Sequence, residues 1–347
     1  MKIGIITVYD AVNYGSYLQA YALKEVLKNI SNIEPKMIKG KSLLYEKWRF
    51  TSTHTYKVNK YAFKAALRKK YKDAWKKFKK GNSIEHYDLI VIGSDEMWEL
   101  HNITMTPQKI FFGVGLHSKR LITYAVSSNG TSKQDVAALS WAVAGLKKFD
   151  AVGIRDHRTK HSFEDFLSVE PILTLDPTLL IDLDSLAVHP LLEDYILVYS
   201  YSLREKMVHA IKCLSLDLRK PIVVIGQQFD WADYCIPASP FEFLGFIKNA
   251  AFVVTDTFHG VTLSIGLRKN FVCDAYKAKV AGALEFFGLE DRDYNTKKSM
   301  LSYYDSPVQY QIIEPILNTY KELSLDYLSR EVCFTEKEIS NSCANAV

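Results

Sequence analysis

The chain has few cysteines and no long apolar run, and each shortage argues against a class of protein. Its 347 residues contain five cysteines, which are scattered and form no CxxC pair. This pattern argues against a disulfide framework or a zinc knuckle and fits a reducing compartment. No apolar stretch approaches the roughly 18 residues that a membrane-spanning helix needs. We therefore expect a cytoplasmic protein whose first residues, MKIGIITVYD, form a strand rather than a signal peptide.

What the chain does have is the composition of a globular protein. Hydrophobic residues make up 48% and charged residues 24%, which excludes a disordered or fibrous chain. At roughly 100–200 residues per domain, the length suits two domains. His, Asp and Glu residues show no metal-ligand spacing, so we expect neither a metal nor a cofactor.

Positive charge is concentrated in one segment of the chain. The formal net charge is +5, yet residues 57–80 contain eleven Lys or Arg and a single acid, Asp73. Aromatic and apolar residues recur there at helical spacing, which predicts a basic amphipathic helix. Such a helix packs its apolar face on the core, or lies on an anionic membrane surface. No nucleic-acid motif accompanies it, so we expect no nucleic-acid partner.

Short apolar runs alternate with helical patterns along the chain. The predicted strands are 3–8, 89–93, 121–127, 151–154, 172–175, 195–201, 221–226, 252–255 and 271–273. The predicted helices are 16–29, 133–148, 203–218, 241–250, 261–267 and 280–287. This alternation predicts an α/β fold with two Rossmann-like domains that face each other across a cleft. We place the domains at 1–185 and 186–310, followed by a helix and tail at 311–347 that packs back on the first domain.

The first predicted strand is followed by a turn that opens a helix. The turn contains Asn13, Tyr14 and Gly15, and a glycine there lets a ligand approach the backbone. The free N–H groups of the helix N-terminus suit an anion or a polar sugar. The turn is neither a GxGxxG motif nor a Walker loop, so an ordinary strand-to-helix turn is an equally good interpretation.

Two further strand ends present polar side chains. Ser94 and Asp95 follow the strand at 89–93, and Ser127 ends the strand at 121–127. Asp95 either holds a sugar hydroxyl or caps the next turn. The serines are hydrogen-bonding groups without acid–base strength near neutral pH.

Arg155 follows the strand at 151–154 directly. Its planar guanidinium is well shaped for a carboxylate or a phosphate. The position after a strand directs Arg155 toward the predicted cleft.

The segment TDTFHG supplies the candidate acid. His259 lies at the turn between the strand at 252–255 and the next helix, where an imidazole can act as a general acid. Asp256 either orients that ring or caps the helix. A structural role for the histidine is about as well supported as a catalytic one on this position alone.

Six blocks in order carry a family resemblance. They are NYGSYLQAYAL, DLIVIGSDEMW, ITYAVSSNG, GIRD, TLDPTLL and TDTFHGVTLSIG. Together they resemble the polysaccharide pyruvyl transferase family from residue 1 to about 290. The resemblance implies a fold like that of GT-B glycosyltransferases. It also implies transfer of pyruvate from phosphoenolpyruvate to a saccharide, usually as a cyclic ketal across two hydroxyls.

The resemblance also implies residue roles. The catalytic histidine of the family falls on His259, and its phosphoenolpyruvate-binding arginine falls on Arg155. A lysine in a K-x-x-x-L context matches Lys279, with Lys277 as the nearby alternative. We expect Gly260 to contribute to the donor site as well.

The acceptor implied is a lipid-linked or nucleotide-activated saccharide of capsule or exopolysaccharide synthesis. The basic segment favours the lipid-linked form at the inner face of the membrane, and an oligomer is compatible with the aromatic content. One alternative is a GT-B glycosyltransferase that uses a nucleotide sugar, with Glu285 or Glu290 on the ribose. The other is a non-catalytic family member that binds an anionic polymer or membrane.

Overall fold

The computed structural model describes residues 1–39, 60–102, 108–295 and 297–344. Within these ranges the strands form two parallel sheets, one of seven strands and one of five. Helices lie between the strands in sequence and cover both faces of each sheet. The predicted fold class, two Rossmann-like α/β sheets in a GT-B-like arrangement, is therefore confirmed.

The first sheet has the order β3-β2-β1-β4-β5-β6-β7. Its strands are β1 Ile3–Ile6, β2 Lys36–Ile38, β3 Lys79–Gly81, β4 Tyr87–Ile92, β5 Ser118–Val126, β6 Ala151–Ile154 and β7 Ile172–Leu173. The central strand β1 is buried along its whole length, as a parallel strand covered on both faces must be.

The second sheet has the order β10-β9-β8-β11-β12. Its strands are β8 Ile196–Tyr199, β9 Ile222–Ile225, β10 Tyr234–Ile236, β11 Phe252–Thr255 and β12 Phe271–Cys273. Strands β8, β9, β11 and β12 are buried throughout. The first sheet ends at Leu173 and the second begins at Ile196, and the domain boundary at 185/186 stays a prediction.

Twelve α-helices occur in the described ranges. They are α1 Tyr14–Ser31, α2 Lys60–Trp75, α3 Lys133–Ala137, α4 Ser140–Leu146, α5 His157–Phe163, α6 Leu183–Leu186, α7 Glu205–Leu218, α8 Pro240–Asn249, α9 Phe258–Gly266, α10 Ala278–Phe287, α11 Met300–Asp305 and α12 Tyr310–Ala344. No described helix combines the length and the apolar composition that crossing a bilayer requires.

The basic segment is shorter as a helix than its periodicity predicts. Helix α2 ends at Trp75, and strand β3 follows at Lys79–Gly81, so the predicted single helix over 57–80 is wrong at its carboxyl end; 57–59 lie outside the described residues. Its apolar face packs on the core, where Phe63, Leu67 and Tyr71 are buried.

Helix α12 runs from the second sheet back across the first. Near its start, the Tyr310 hydroxyl donates to the Lys269 carbonyl at 2.7 Å. Further along, the Tyr327 hydroxyl donates to the Thr123 carbonyl of β5 at 2.8 Å. Arg120 and the buried Glu331 form an ion pair at 2.5 Å. These contacts tie the end of the chain to the first sheet.

The remaining differences from the sequence predictions concern short or polar elements. The predicted helix at 133–148 is two helices, α3 and α4, separated at Ala138–Leu139. Strands β2, β3 and β10 were not predicted, because each has three residues and lies at or next to a sheet edge. Too few apolar residues are present there to establish a pattern.

Candidate active site

A polar cavity of about 240 Å³ lies where the carboxyl ends of the two sheets face each other. Strand order reverses between β1 and β4 in the first sheet and between β8 and β11 in the second. Loops diverge at such a switch point and leave a crevice. The cavity, called cavity one below, is lined by Val8, Asn13, Ser16, Asp95, Glu96, Asn102, Arg155, Tyr199, Tyr201, Thr257, Phe258, His259, Lys277 and Lys279.

His259 enters cavity one from the N-terminus of α9. Thr257 caps this helix, since its hydroxyl accepts the Gly260 N–H at 2.9 Å, and His259 is the second helical residue. The imidazole packs against α1 at Gly15, where a β-carbon would lie only 2.1 Å from His259 Nδ1. Glycine at position 15 is therefore required for the histidine to occupy this place.

Arg155 and His259 converge on one buried carboxylate. Asp176 Oδ2 lies 3.3 Å from Arg155 Nη1 and 3.6 Å from His259 Nε2. Burial raises the pKa of Asp176, but the nearby charges of His259 and Arg155 and the hydrogen bond from Thr178 lower that pKa to about 2. The guanidinium also lies 4.0 Å from the ring centre of Phe258. The two sheets thus place an imidazole and a guanidinium beside one cavity.

Two lysines reach cavity one from α10 and the loop before it. Lys277 donates to the buried Asp256 carboxylate at 2.9 Å, and Lys279 pairs with Glu96 of the first sheet at 2.5 Å. Burial lowers the pKa of Lys277, but Tyr276 and Asp256 outweigh this effect and raise it. An ammonium has three N–H donors, so Lys279 keeps donors beyond the one that Glu96 accepts, whereas Lys277 also contacts the Asp256 carbonyl at 3.4 Å.

Asp95 lines the cavity with its Oδ1 4.0 Å from Arg155 Nη1, and its backbone is in a left-handed conformation with φ of 84°. Such a backbone is unfavourable for an aspartate and is concentrated at functional sites. Its Oδ2 accepts the Ser16 hydroxyl at 3.0 Å. Burial raises the pKa of Asp95, yet the charges of His259, Arg155 and Lys279 lower it overall. Asp95 is therefore an ionised group within the cavity.

Asn13 links the two halves of the site. Its side-chain oxygen accepts the N–H groups of Gly15 and Ser16, at 3.0 and 3.3 Å, and so caps α1. The Tyr201 hydroxyl, from the second sheet, donates to the same oxygen at 3.3 Å. Asn13 thus lines cavity one, and its side-chain oxygen already accepts hydrogen bonds from both halves of the site.

Tyr14 and Ser94 lie outside cavity one. The Tyr14 ring is buried against Phe243 at 4.5 Å between ring centres, and its hydroxyl donates to the Ala238 carbonyl at 2.8 Å. It therefore joins the two sheets rather than a ligand. The buried Ser94 hydroxyl donates to Gln19.

Gly260, Ser127 and Asp256 do not line cavity one. The Gly260 N–H is used by the helix cap, and a β-carbon there would lie 2.0 Å from Thr255 Oγ1, so this glycine serves packing. Ser127 donates to Asp156 at 2.7 Å and lines a different cavity. Asp256 neither caps α9 nor contacts the imidazole, since Thr257 and Asp176 fill those roles.

Sequence reasoning missed Asp176 and Phe258 as members of the site. Asp176 stands in the TLDPTLL block, where its side chain caps the short helix Pro177–Leu179. Nothing in the local sequence indicated that Asp176 would meet a distant imidazole. Phe258 directly precedes His259, but an aromatic residue at that position carries no signal of its own for a site.

The arrangement suits a small anion with two charged groups. Arg155, Lys277 and Lys279 surround cavity one, beside the imidazole of His259. Charge-assisted hydrogen bonds from such groups are the strong ones in a partly buried site. Among the described residues, no group of three His, Cys, Asp or Glu side chains is placed to hold a metal ion.

Several solved structures share this fold across almost the whole chain. A Methanocaldococcus jannaschii UDP-GlcNAc 2-epimerase in complex with UDP-GlcNAc and UDP is 12% identical, with 96% of this chain and 100% of that chain covered and a TM-score of 0.51. The S. aureus MnaA–UDP structure is 14% identical, covers 98% and 97%, and has a TM-score of 0.51. At such low identity the likeness shows the fold alone.

Sequence comparison goes further than the fold. No curated protein sequence matches this chain. The sequence model of the family described as polysaccharide pyruvyl transferase does match, over residues 13–277. That range contains the α1 turn, Arg155, Asp176 and His259, and it covers more than half of the chain. The chain therefore belongs to the polysaccharide pyruvyl transferase family.

Proposed function

We propose that this chain transfers pyruvate from phosphoenolpyruvate to a pair of hydroxyls on a saccharide and so forms a cyclic ketal. The observation that carries the proposal is that His259 and Arg155, from different sheets, line one polar cavity and share Asp176. Neither a resident metal nor a cofactor takes part, and phosphoenolpyruvate is the donor substrate.

Phosphoenolpyruvate carries a carboxylate and a phosphate on one carbon. Arg155 and the lysines Lys277 and Lys279 supply the cationic donors for these two groups. Arg155 directs Nη1 at Asp176, and a guanidinium has further N–H groups with which to hold a substrate carboxylate. The lysines also offset the charge that develops on the departing phosphate.

His259 as an imidazolium gives its proton to C3 of the donor, which makes C2 electrophilic. Asp176 stabilises that imidazolium, since it remains ionised down to about pH 2. A saccharide hydroxyl adds to C2, and its proton restores the imidazolium. A second hydroxyl then replaces the phosphate at C2 and closes the ketal. The released phosphate carries away the second hydroxyl proton.

The acceptor in this proposal is a lipid-linked or nucleotide-activated saccharide of capsule or exopolysaccharide synthesis. Around α2 and β3, the exposed side chains of Lys69, Lys72, Lys79 and Lys80 offer a route to an anionic membrane surface. The aromatic face of α2 is buried, so such contact is electrostatic and does not insert the helix. The protein then acts in the cytoplasm at the inner face of the membrane.

The deciding experiment uses phosphoenolpyruvate labelled in its three-carbon unit and a set of saccharides. We expect label in the saccharide and one phosphate released per label transferred. A parallel reaction contains a labelled nucleotide sugar in place of phosphoenolpyruvate. Transfer from the nucleotide sugar alone would reject pyruvyl transfer and favour a glycosyltransferase.

A further inference from the structure

A second cavity of about 480 Å³ adjoins cavity one. Arg155, Phe258 and Lys279 line both cavities, so the two meet at these side chains. This second space, called cavity two below, has a volume within the range of roughly 300–1,000 Å³ that small-molecule sites occupy.

The two walls of cavity two differ in character. Strand ends of the first sheet provide a polar wall that includes Ser127, Asn129 and Asp156. Helices α10 and α12 provide an apolar wall opposite, in which Phe286 lies 4.8 Å from Tyr320 between ring centres. A sugar ring has hydroxyls at its edge and a C–H face that packs on aromatic rings. The polar wall therefore suits the hydroxyls of a sugar, and the aromatic wall suits its C–H face.

Thr262, one of the residues that line cavity two, has a buried hydroxyl without a hydrogen-bond partner. It belongs to α9, and its side chain is 1% exposed. A buried hydroxyl without a partner costs about 1–3 kcal/mol, so native proteins seldom leave one unexplained. A polar ligand whose hydroxyl reaches this side chain from the cavity would satisfy it.

We propose that cavity two binds the saccharide acceptor, with a C–H face on Phe286 and Tyr320 and hydroxyls toward the strand ends and Thr262. The inference rests on the proposed function. The reacting hydroxyls then lie at Arg155 and Phe258, next to the donor in cavity one. The apolar wall comes from residues 278–320, whereas the family model matches 13–277. The aromatic part of the acceptor site is thus supplied by residues outside the matched part.

Gly282 gives a direct way to fill this cavity. It lines cavity two, and a β-carbon added to it meets nothing within 4 Å. A Gly282→Leu substitution therefore starts from a β-carbon in open space at the cavity wall, and a helical glycine is readily replaced. Ala281→Leu is the matched control, because Ala281 is exposed on the same helix and does not line the cavity.

The experiment measures two affinities on the same proteins. Calorimetric titration gives the Kd of phosphoenolpyruvate, and saturation-transfer NMR reports binding of methyl and p-nitrophenyl glycosides of the common hexoses and N-acetylhexosamines. We expect Gly282→Leu to weaken glycoside binding at least about tenfold and to leave the phosphoenolpyruvate Kd and the Tm unchanged. Ala281→Leu should match the wild type in both.

The outcomes separate this inference from the proposed function. Wild-type protein that binds no phosphoenolpyruvate would reject the proposed function itself. Phosphoenolpyruvate binding with glycoside affinity unaffected by Gly282→Leu would overturn the cavity-two assignment alone. Wild-type protein that binds free UDP but none of the glycosides, and loses UDP in Gly282→Leu, would overturn it in favour of a nucleotide pocket.

Discussion

The two basic regions of this molecule differ in how their charges are surrounded. Helix α2 and strand β3 contain the densest run of lysines in the sequence, and most of these side chains extend into solvent. The cations of cavity one are only three, yet each lies against a carboxylate and all converge on one space. A high density of positive charge along the sequence therefore does not locate an anion site. Such a site is located by cationic side chains that the fold brings together around one space.

The physical reason is the medium around each charge. An exposed ion pair contributes about 0–1 kcal/mol, because water screens it and the side chains stay mobile. The pair between Asp73 of α2 and Lys76, just after the helix, is of this kind, with both side chains more than half exposed. Arg155 and Asp176 are 4% and 1% exposed, so their interaction is far less screened. Substitutions in the two regions should therefore have very different consequences.

The largest effect is expected at His259. His259→Ala removes the proton donor, and general acid catalysis typically contributes 10²–10⁴-fold, so phosphate release in a single turnover should slow by about 10³-fold. His161→Ala, at an exposed position of α5, is the control and should react like the wild type. Pyruvyl transfer by His259→Ala at the normal rate would reject the acid role.

Arg155 comes next, because it binds the donor rather than supplying the proton. Each hydrogen bond to a charged group contributes about 1.5–3 kcal/mol, so Arg155→Ala should raise the Kd of phosphoenolpyruvate by about 100-fold. Arg155→Lys keeps the charge but loses the planar fork, and its Kd should fall between the two. Calorimetric titration measures all three proteins. An unchanged Kd in Arg155→Ala would remove this residue from the donor site.

Asp176, the carboxylate shared by Arg155 and His259, should contribute to the free energy of unfolding in a pH-dependent way. The folded pKa of Asp176 is about 2 against an ordinary 3.8, so the ionised group stabilises the fold by about 2 kcal/mol above pH 4, and this contribution is lost as pH falls through 2. Asp176→Asn should lower the free energy of unfolding by that amount at pH 7. Urea unfolding from pH 7 to pH 2 should show the difference shrink; a constant difference would contradict this origin.

The sequence predicted the sheets and the loops that meet at the cleft. Buried strands of four or more apolar residues, such as β4 and β11, give a periodic signal and were placed within two residues. His259, Arg155, Asp95 and Lys279 follow from their position after strands or from the family blocks, and all line cavity one.

What the sequence could not show is which distant groups pair. Asp176 is 83 residues from His259 along the chain, and only the packing of one sheet against the other brings them together. Tyr14 was placed in a ligand-binding turn, but the same packing buries it between the sheets. Local pattern carries no information on such contacts.

The smallest effect on catalysis is expected in the lysine-rich region. A variant with Lys69, Lys72, Lys79 and Lys80 changed to Gln should keep kcat/KM in solution within about twofold, because isolated surface charges contribute little. Its co-sedimentation with anionic vesicles should fall, since each lysine near such a surface contributes about 1 kcal/mol. A control with exposed Lys147, Lys148, Lys206 and Lys212 changed to Gln has the same net charge. If both variants sediment equally, net charge rather than this region determines membrane contact. The lysine-rich region would then have no binding role of its own, and only the cations of cavity one would form an anion site.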